Sequence, residues 1–165
     1  MLKRFYPNEY VNSSFIINYE DLYKQGYRGI LFDIDNTLVG HGAKADGRAK
    51  ELFVRLEKIG FHMCLISNNQ EERVRTFHDV VKVKYIFNAH KPSRKGYIEA
   101  MKSIGTDVDN TIFIGDQIFT DIYGANRTGL KTILVKPIHP KEEIQIVLKR
   151  YLEKIVLFFY LRSKK

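Results

Sequence analysis

The sequence predicts a three-layer α/β domain in which a central, mostly parallel sheet carries helices on both faces. Two observations predict it. Short apolar runs alternate with amphipathic stretches of helical period, the pattern of successive strand–helix–strand crossovers. The apolar runs are near-continuous, as strands covered on both faces must be. A length of 165 residues suits one domain, so residues 1–165 are expected to form a single unit.

Residues 1–27 are tyrosine-rich and irregular in pattern, a lead-in expected to lie on the core. Gly29-Ile30-Leu31-Phe32, running into Asp33, reads as a buried strand. Over Arg48–Ile59, the side chains of Ala49, Leu52, Phe53, Leu56 and Ile59 share one helical face, and Gly60 stops the helix. Phe61–Ile66 is a second strand, Val74, Phe77 and Val81 mark the next helix, and Lys84–Phe87 is a short third strand. Pro92 and Ser93 open a helix that turns Tyr97, Ala100, Met101 and Ile104 inward and ends at Gly105. Thr111–Ile114 and Lys131–Val135 are two further strands, with a helix between them around Thr120–Asn126. Residues 141–165 are expected to form an amphipathic, basic helix. Its Ile144, Val147, Leu148, Tyr151, Leu152 and Ile155 recur at helical spacing and should pack on the core, whereas Val156–Leu161 is apolar all round.

Composition narrows the function classes. Hydrophobic residues at 44% and charged residues at 28% are those of a globular chain. No apolar run approaches the ~18–20 residues that span a bilayer, and Met1-Leu2-Lys3-Arg4 leads into no signal-peptide core. The single cysteine, Cys64, excludes an internal disulfide and fits a reducing, cytoplasmic compartment. It lies in an apolar strand and reads as a core residue. The formal charge is +8, and in residues 141–165 seven lysines and arginines stand against three glutamates. A basic end on an apolar helix suits an anionic surface. Peripheral attachment at the inner face of a membrane is one expectation, and a homo-oligomer contact is the other.

Four strand ends carry reactive residues, and in open α/β sheets ligands bind beyond those ends. Asp33-Ile34-Asp35-Asn36-Thr37-Leu38 follows the first strand, where a turn can bring both aspartates toward one ligand. Ser67-Asn68-Asn69 follows the second; a hydroxyl and backbone N–H groups there could hold a phosphate oxygen, although the same triplet is a good helix cap. His90-Lys91-Pro92 holds a lysine at the mouth of a helix, because proline disfavours helical backbone at Lys91. Gly115-Asp116 ends a later strand, with Asp121 five residues on. Hard oxygen ligands of this kind suit Mg²⁺.

Together these residues resemble the four motifs of the haloacid dehalogenase (HAD) superfamily of phosphohydrolases, through Asp33, Asp35 and Thr37, then Ser67, Lys91, and Asp116 with Asp121. Asn36-Thr37-Leu38 and the motif spacing are similar to the capless IIIA-type phosphatases. Phe5-Tyr6-Pro7, Tyr10-Val11, Ile17 and Tyr19–Leu22 resemble the YqeG-like branch, related to phosphatidylglycerophosphate phosphatases. The resemblance implies a three-layer, Rossmann-like HAD fold without a cap. It implies Asp33 as nucleophile, Asp35 as acid and base, and Lys91, Ser67, Thr37 and Asn68 at the substrate phosphate. Mg²⁺ would be held by Asp33, the backbone carbonyl of Asp35 and Asp116, with Asp121 behind them. Between Thr37 and Ser67, and between Ser67 and Lys91, there is too little chain for an inserted cap domain. The expected partner is a phosphorylated substrate, with a lipid phosphate favoured and nucleic acid disfavoured. A phospho-accepting receiver domain shares the architecture but lacks the second aspartate of the first motif.

Overall fold

The computed structural model describes residues 1–139 and 144–165. Among these, one wholly parallel sheet contains β1 (Glu9–Val11), β2 (Gly29–Phe32), β3 (His62–Ile66), β4 (Lys84–Ile86), β5 (Thr111–Gly115) and β6 (Lys131–Val135). Their spatial order is β1-β6-β5-β2-β3-β4. The helices are α1 (Tyr19–Lys24), α2 (Gly47–Ile59), α3 (Glu71–Val81), α4 (Arg94–Ile104), α5 (Tyr123–Thr128) and α6 (Ile144–Ser163).

The strand period of two sorts the core into two faces. Ile30 and Phe32 of β2, Leu65 of β3 and Ile112 and Ile114 of β5 meet Leu22 of α1, Leu52, Phe53 and Leu56 of α2, and Val74 and Phe77 of α3. Leu31, Cys64, Ile66 and Phe113 point the other way, against Tyr97, Ala100 and Met101 of α4 and Ala125 of α5. This is the three-layer parallel fold expected. The helix ends follow the sequence signals. Asp46 caps α2 by accepting from the Ala49 N–H at 2.8 Å, and Gly60 takes the left-handed conformation (φ 115°) that ends it.

The chain runs β2–β3–β4 to one edge and then crosses back to lay β5 on the other side of β2. The carboxyl ends of β2 and β5 therefore flank the point where the winding reverses, the place where such sheets open a crevice. Asp33 directly follows β2 and Asp116 directly follows β5.

Two expectations need correction. Residues 1–27 are not irregular throughout. Glu9–Val11 adds a sixth strand parallel to β6, fixed by Asn8, whose Oδ1 accepts from the Thr132 N–H at 2.8 Å, and by the Glu9–Lys131 ion pair at 2.7 Å. Three residues are too few to show a period.

The second correction concerns α6. Val147, Leu148, Tyr151, Leu152 and Ile155, expected on the core, are all exposed, while Glu153, Val156 and Tyr160 are buried. Val156 meets Ile118, Ile122 and Leu134, with Tyr6, Tyr10 and Leu157 alongside. A helix apolar on nearly every side has no preferred inner face, and polar contacts described below select the one that turns inward. Residues 141–143 and the side chain of Ile144 lie outside the described residues. No helix among the described residues is long and apolar enough to cross a membrane.

Candidate active site

The turn after β2 is built on Ile34, whose carbonyl accepts from the N–H groups of Thr37 (3.2 Å) and Leu38 (3.0 Å). Asn36 takes a left-handed φ of 63°, which asparagine tolerates better than most residues, and its Oδ1 accepts from the His139 N–H at 3.1 Å. The turn folds Thr37 back over the strand end. Its hydroxyl lies 3.1 Å from Asp33 Oδ2 and 3.2 Å from Asp116 Oδ1, one proton shared between two carboxylate oxygens.

The other oxygen of each carboxylate meets a cation. Lys91 Nζ donates to Asp33 Oδ1 and to Asp121 Oδ1, both at 2.7 Å. Arg150 of α6 pairs with Asp116 Oδ2 and donates at 2.6 Å to the Asp116 carbonyl. A continuous chain thus runs Lys91–Asp33–Thr37–Asp116–Arg150. Asp121 sits in a π-helical turn, Ile118–Ile122, and its Oδ2 accepts from the N–H groups of Asp116 (3.2 Å) and Gln117 (3.1 Å). That turn crowds Gly115, where a Cβ would lie 2.6 Å from Asp121 Oδ2. Glycine is required for this close approach.

Asp33, Asp116 and Asp121 are buried, and one ligand oxygen from each lies within 4.8 Å of the others. Burial pushes the Asp33 carboxyl up to about 6, against the pull of Lys91. Burial also raises Asp116 well above the usual carboxylate range, helped by the Asp33 charge and opposed by Arg150. For Lys91, burial works to lower the pKa, but Asp121 and Asp33 outweigh it and the net direction is up. Three crowded carboxylates of hard oxygen, incompletely balanced by two cations, make a donor set that fits a divalent ion.

The remaining expected site residues are placed less uniformly. Asp35 does not join the acidic cluster. Its carboxylate accepts from the Gly42 N–H (2.7 Å), Asn69 Nδ2 (2.8 Å) and Arg73 Nη2 (2.9 Å). Ser67 is buried at the end of β3, and its Oγ accepts from the Asn69 N–H at 3.0 Å, a local turn contact. Asn68 was expected at the phosphate. Instead it grips the Lys91 backbone, accepting from its N–H at 2.6 Å and donating to its carbonyl at 3.0 Å. Thr37 likewise spends its hydroxyl on the carboxylates. Both residues tie together segments distant in sequence, Thr37 joining the β2 and β5 ends and Asn68 holding the Lys91 backbone beside β3.

Sequence reasoning missed Arg150, Glu153 and Arg73. Glu153 accepts from the Ile118 N–H at 2.7 Å and pairs with Arg150 at 2.9 Å. A signal was present: Glu153 is the only acid in residues 144–165, three positions after Arg150, in a helix dominated by apolar and basic residues. A groove of about 1050 Å³, lined in part by Phe61, His62, Lys82 and Lys84, opens at the opposite end of the sheet and includes none of the clustered aspartates.

Aspartates following two adjacent parallel strands share one threonine hydroxyl, and a lysine from a third connection pairs with the first of them, an arrangement that fits the phosphoryl-transfer site of the HAD class. Known proteins agree. A HAD-hydrolase-like family model matches residues 88–143. The chain is 35% identical over 159 residues to Probable phosphatase YqeG of Bacillus subtilis, covering 95% of this chain and 92% of that protein. It is 29% identical over 169 residues to the chloroplastic/mitochondrial Phosphatidylglycerophosphate phosphatase 1 of Arabidopsis thaliana, covering 95% of this chain but only 48% of that longer protein. The crystal structure of a HAD-superfamily hydrolase from Ehrlichia chaffeensis shares the fold, with a TM-score of 0.55 at 16% identity over 78% of this chain and 97% of the other. The chain belongs to the YqeG-like branch of the HAD-superfamily phosphatases.

Proposed function

We propose that the protein hydrolyses a phosphate monoester through an aspartyl-phosphate on Asp33, and that its substrate is a lipid phosphate presented at a membrane surface. The observation that carries the chemistry is the convergence of Asp33, Asp116 and Lys91 from three separate connections on one buried point.

An Asp33 oxygen attacks phosphorus, forming the acyl–phosphate bond as the ester P–O bond breaks. Asp35 gives a proton to the departing alkoxide, then takes one from the water that attacks phosphorus and frees Asp33. Its bonds from Gly42, Asn69 and Arg73 keep Asp35 on the solvent-reaching side of the turn, with its side chain 14% exposed. Lys91, anchored by Asp121, keeps a fixed positive charge against Asp33 where phosphoryl oxygens gain negative charge. Mg²⁺ held by Asp33, Asp116 and the backbone carbonyl of Asp35 would supply charge neutralisation between the anionic nucleophile and the phosphate dianion.

Two features support a membrane-borne substrate. Among the described residues, only the short turn and α2 stand between the first motif and β3, and only α3 and β4 between β3 and Lys91, so neither segment holds an inserted cap. The outer face of α6 presents Leu148, Tyr151, Leu152, Ile155, Phe158 and Phe159 to solvent, bordered by exposed basic residues such as Lys149, Lys154 and Arg162. A contiguous exposed apolar arc rimmed by basic residues suits contact with a partner or a membrane surface. The naming of the Arabidopsis relative points to phosphatidylglycerophosphate as the first lipid to try. Phosphate release from that lipid in anionic vesicles, from glycerol phosphate and from a 5′-phosphorylated oligonucleotide tests the reading. The vesicle-borne lipid should turn over fastest. A preference for the oligonucleotide, or equal rates on all three, would refute the lipid assignment.

A further inference from the structure

We propose that Arg150 is a positioning residue of the phosphatase site, and that α6 therefore belongs to the catalytic apparatus as well as to the surface. Asp33 and Asp116 each turn one oxygen toward the Thr37 hydroxyl and give the other to a cation, Lys91 for Asp33 and Arg150 for Asp116. Lys91 belongs to the family's recognised motifs; Arg150 lies beyond them, on the last helix.

The contacts are those of a clamp. One guanidinium reaches both the side chain and the carbonyl of Asp116, fixing the residue's backbone and carboxylate together. Its Nη1 also donates to Glu153 Oε2 at 2.9 Å, while Glu153 Oε1 accepts from the Ile118 N–H at 2.7 Å. Arg150 is thus tied to the same β5–α5 connection that carries Asp121. The Arg150 side chain is only 16% exposed, and Glu153 is buried. An arginine's planar fork suits such two-point contact, where a lysine ammonium keeps one point only. These polar contacts also decide which face of α6 turns inward, leaving the apolar arc outside.

The inference rests on Asp116 being a metal ligand, so the test separates the two. Mn²⁺ binding to the full-length protein is followed by the electron paramagnetic resonance of the free ion, alongside steady-state kinetics on soluble p-nitrophenyl phosphate. Wild type should bind Mn²⁺ and Asp116→Asn should not. Arg150→Gln should weaken Mn²⁺ binding about 10–100-fold, the range for groups that orient metal ligands, and lower kcat more than it raises KM. Arg150→Lys should recover part of both. Lys58→Gln, on the exposed side of α2, should change neither. If Arg150→Gln and Arg150→Lys bind Mn²⁺ as wild type does while losing thermal stability, Arg150 is structural only and the inference falls. Tighter Mn²⁺ binding in Arg150→Gln would overturn it too, by making Arg150 a counter-ion that competes with the metal. Absence of Mn²⁺ binding to wild type, or unchanged binding to Asp116→Asn, would overturn the metal reading and the inference with it.

Discussion

Asp33 illustrates how single residues here are held against their own solvation. Burial raises its carboxyl to about 6 although Lys91 pulls the other way, whereas a free aspartate sits near ~3.9. Between those values the folded protein keeps a proton that the unfolded chain releases. Stability contributed by this group is therefore lost as pH rises from about 4 through about 6. Asp116 shifts in the same direction. With chelator present, wild type should lose roughly 2 kcal/mol relative to Asp33→Asn between pH ~4.5 and pH ~7, read from urea unfolding. A difference that stays flat, or grows in favour of wild type, would contradict the account. At this scale the sequence was informative about which residues meet and silent about their partners. Asp33, Lys91 and Asp116 were legible because motif chemistry marks strand ends. The turn of Thr37 and Asn68 toward protein groups was not, since a hydroxyl or amide beside a phosphate site looks alike whether it holds substrate or backbone. Cys64 was legible as a core residue, and burial pushes its thiol up to about 12.

Elements with a clear period and clear stops came out as expected. α2 lies between Asp46 and Gly60, and α4 between Ser93 and Gly105, because caps and left-handed glycines act locally. β1 and α6 depend instead on distant partners. β1 is three residues that exist as a strand only because the β6 edge is free to pair. The rotation of α6 is set by Arg150 and Glu153 reaching the end of β5, contacts 34 and 35 residues apart that no periodicity records. The β5–α5 connection shows how tightly such an element is built. Gly115→Ala would place a methyl 2.6 Å from Asp121 Oδ2 and 2.8 Å from its Cγ. The displaced carboxylate would release Lys91, so we expect kcat to fall at least ~10-fold with ~1–3 kcal/mol of lost stability. Thermal melts and soluble-substrate kinetics check both, and a variant with wild-type values would show that the turn can relax.

For the whole molecule, sheet order explains why residues distant in sequence form one site. The reversal between β2 and β5 brings Asp33 beside Asp116, and the connection leaving β4 returns Lys91 to the same point. The motif spacing made the capless architecture legible in the sequence, whereas the apolar, basic helix was expected to pack its first half on the core, and neither its exposed face nor its tie to Asp116 was legible. The proposed reaction turns on a covalent phosphoryl-enzyme formed on Asp33. Acid-quenching the enzyme during turnover of a ³²P-labelled monoester, followed by borohydride reduction and peptide mapping, tests it directly. We predict a hydroxylamine-labile label and conversion of Asp33 to homoserine, both absent in Asp33→Asn. Phosphate release with no covalent label, or a label on any other residue, would contradict the account.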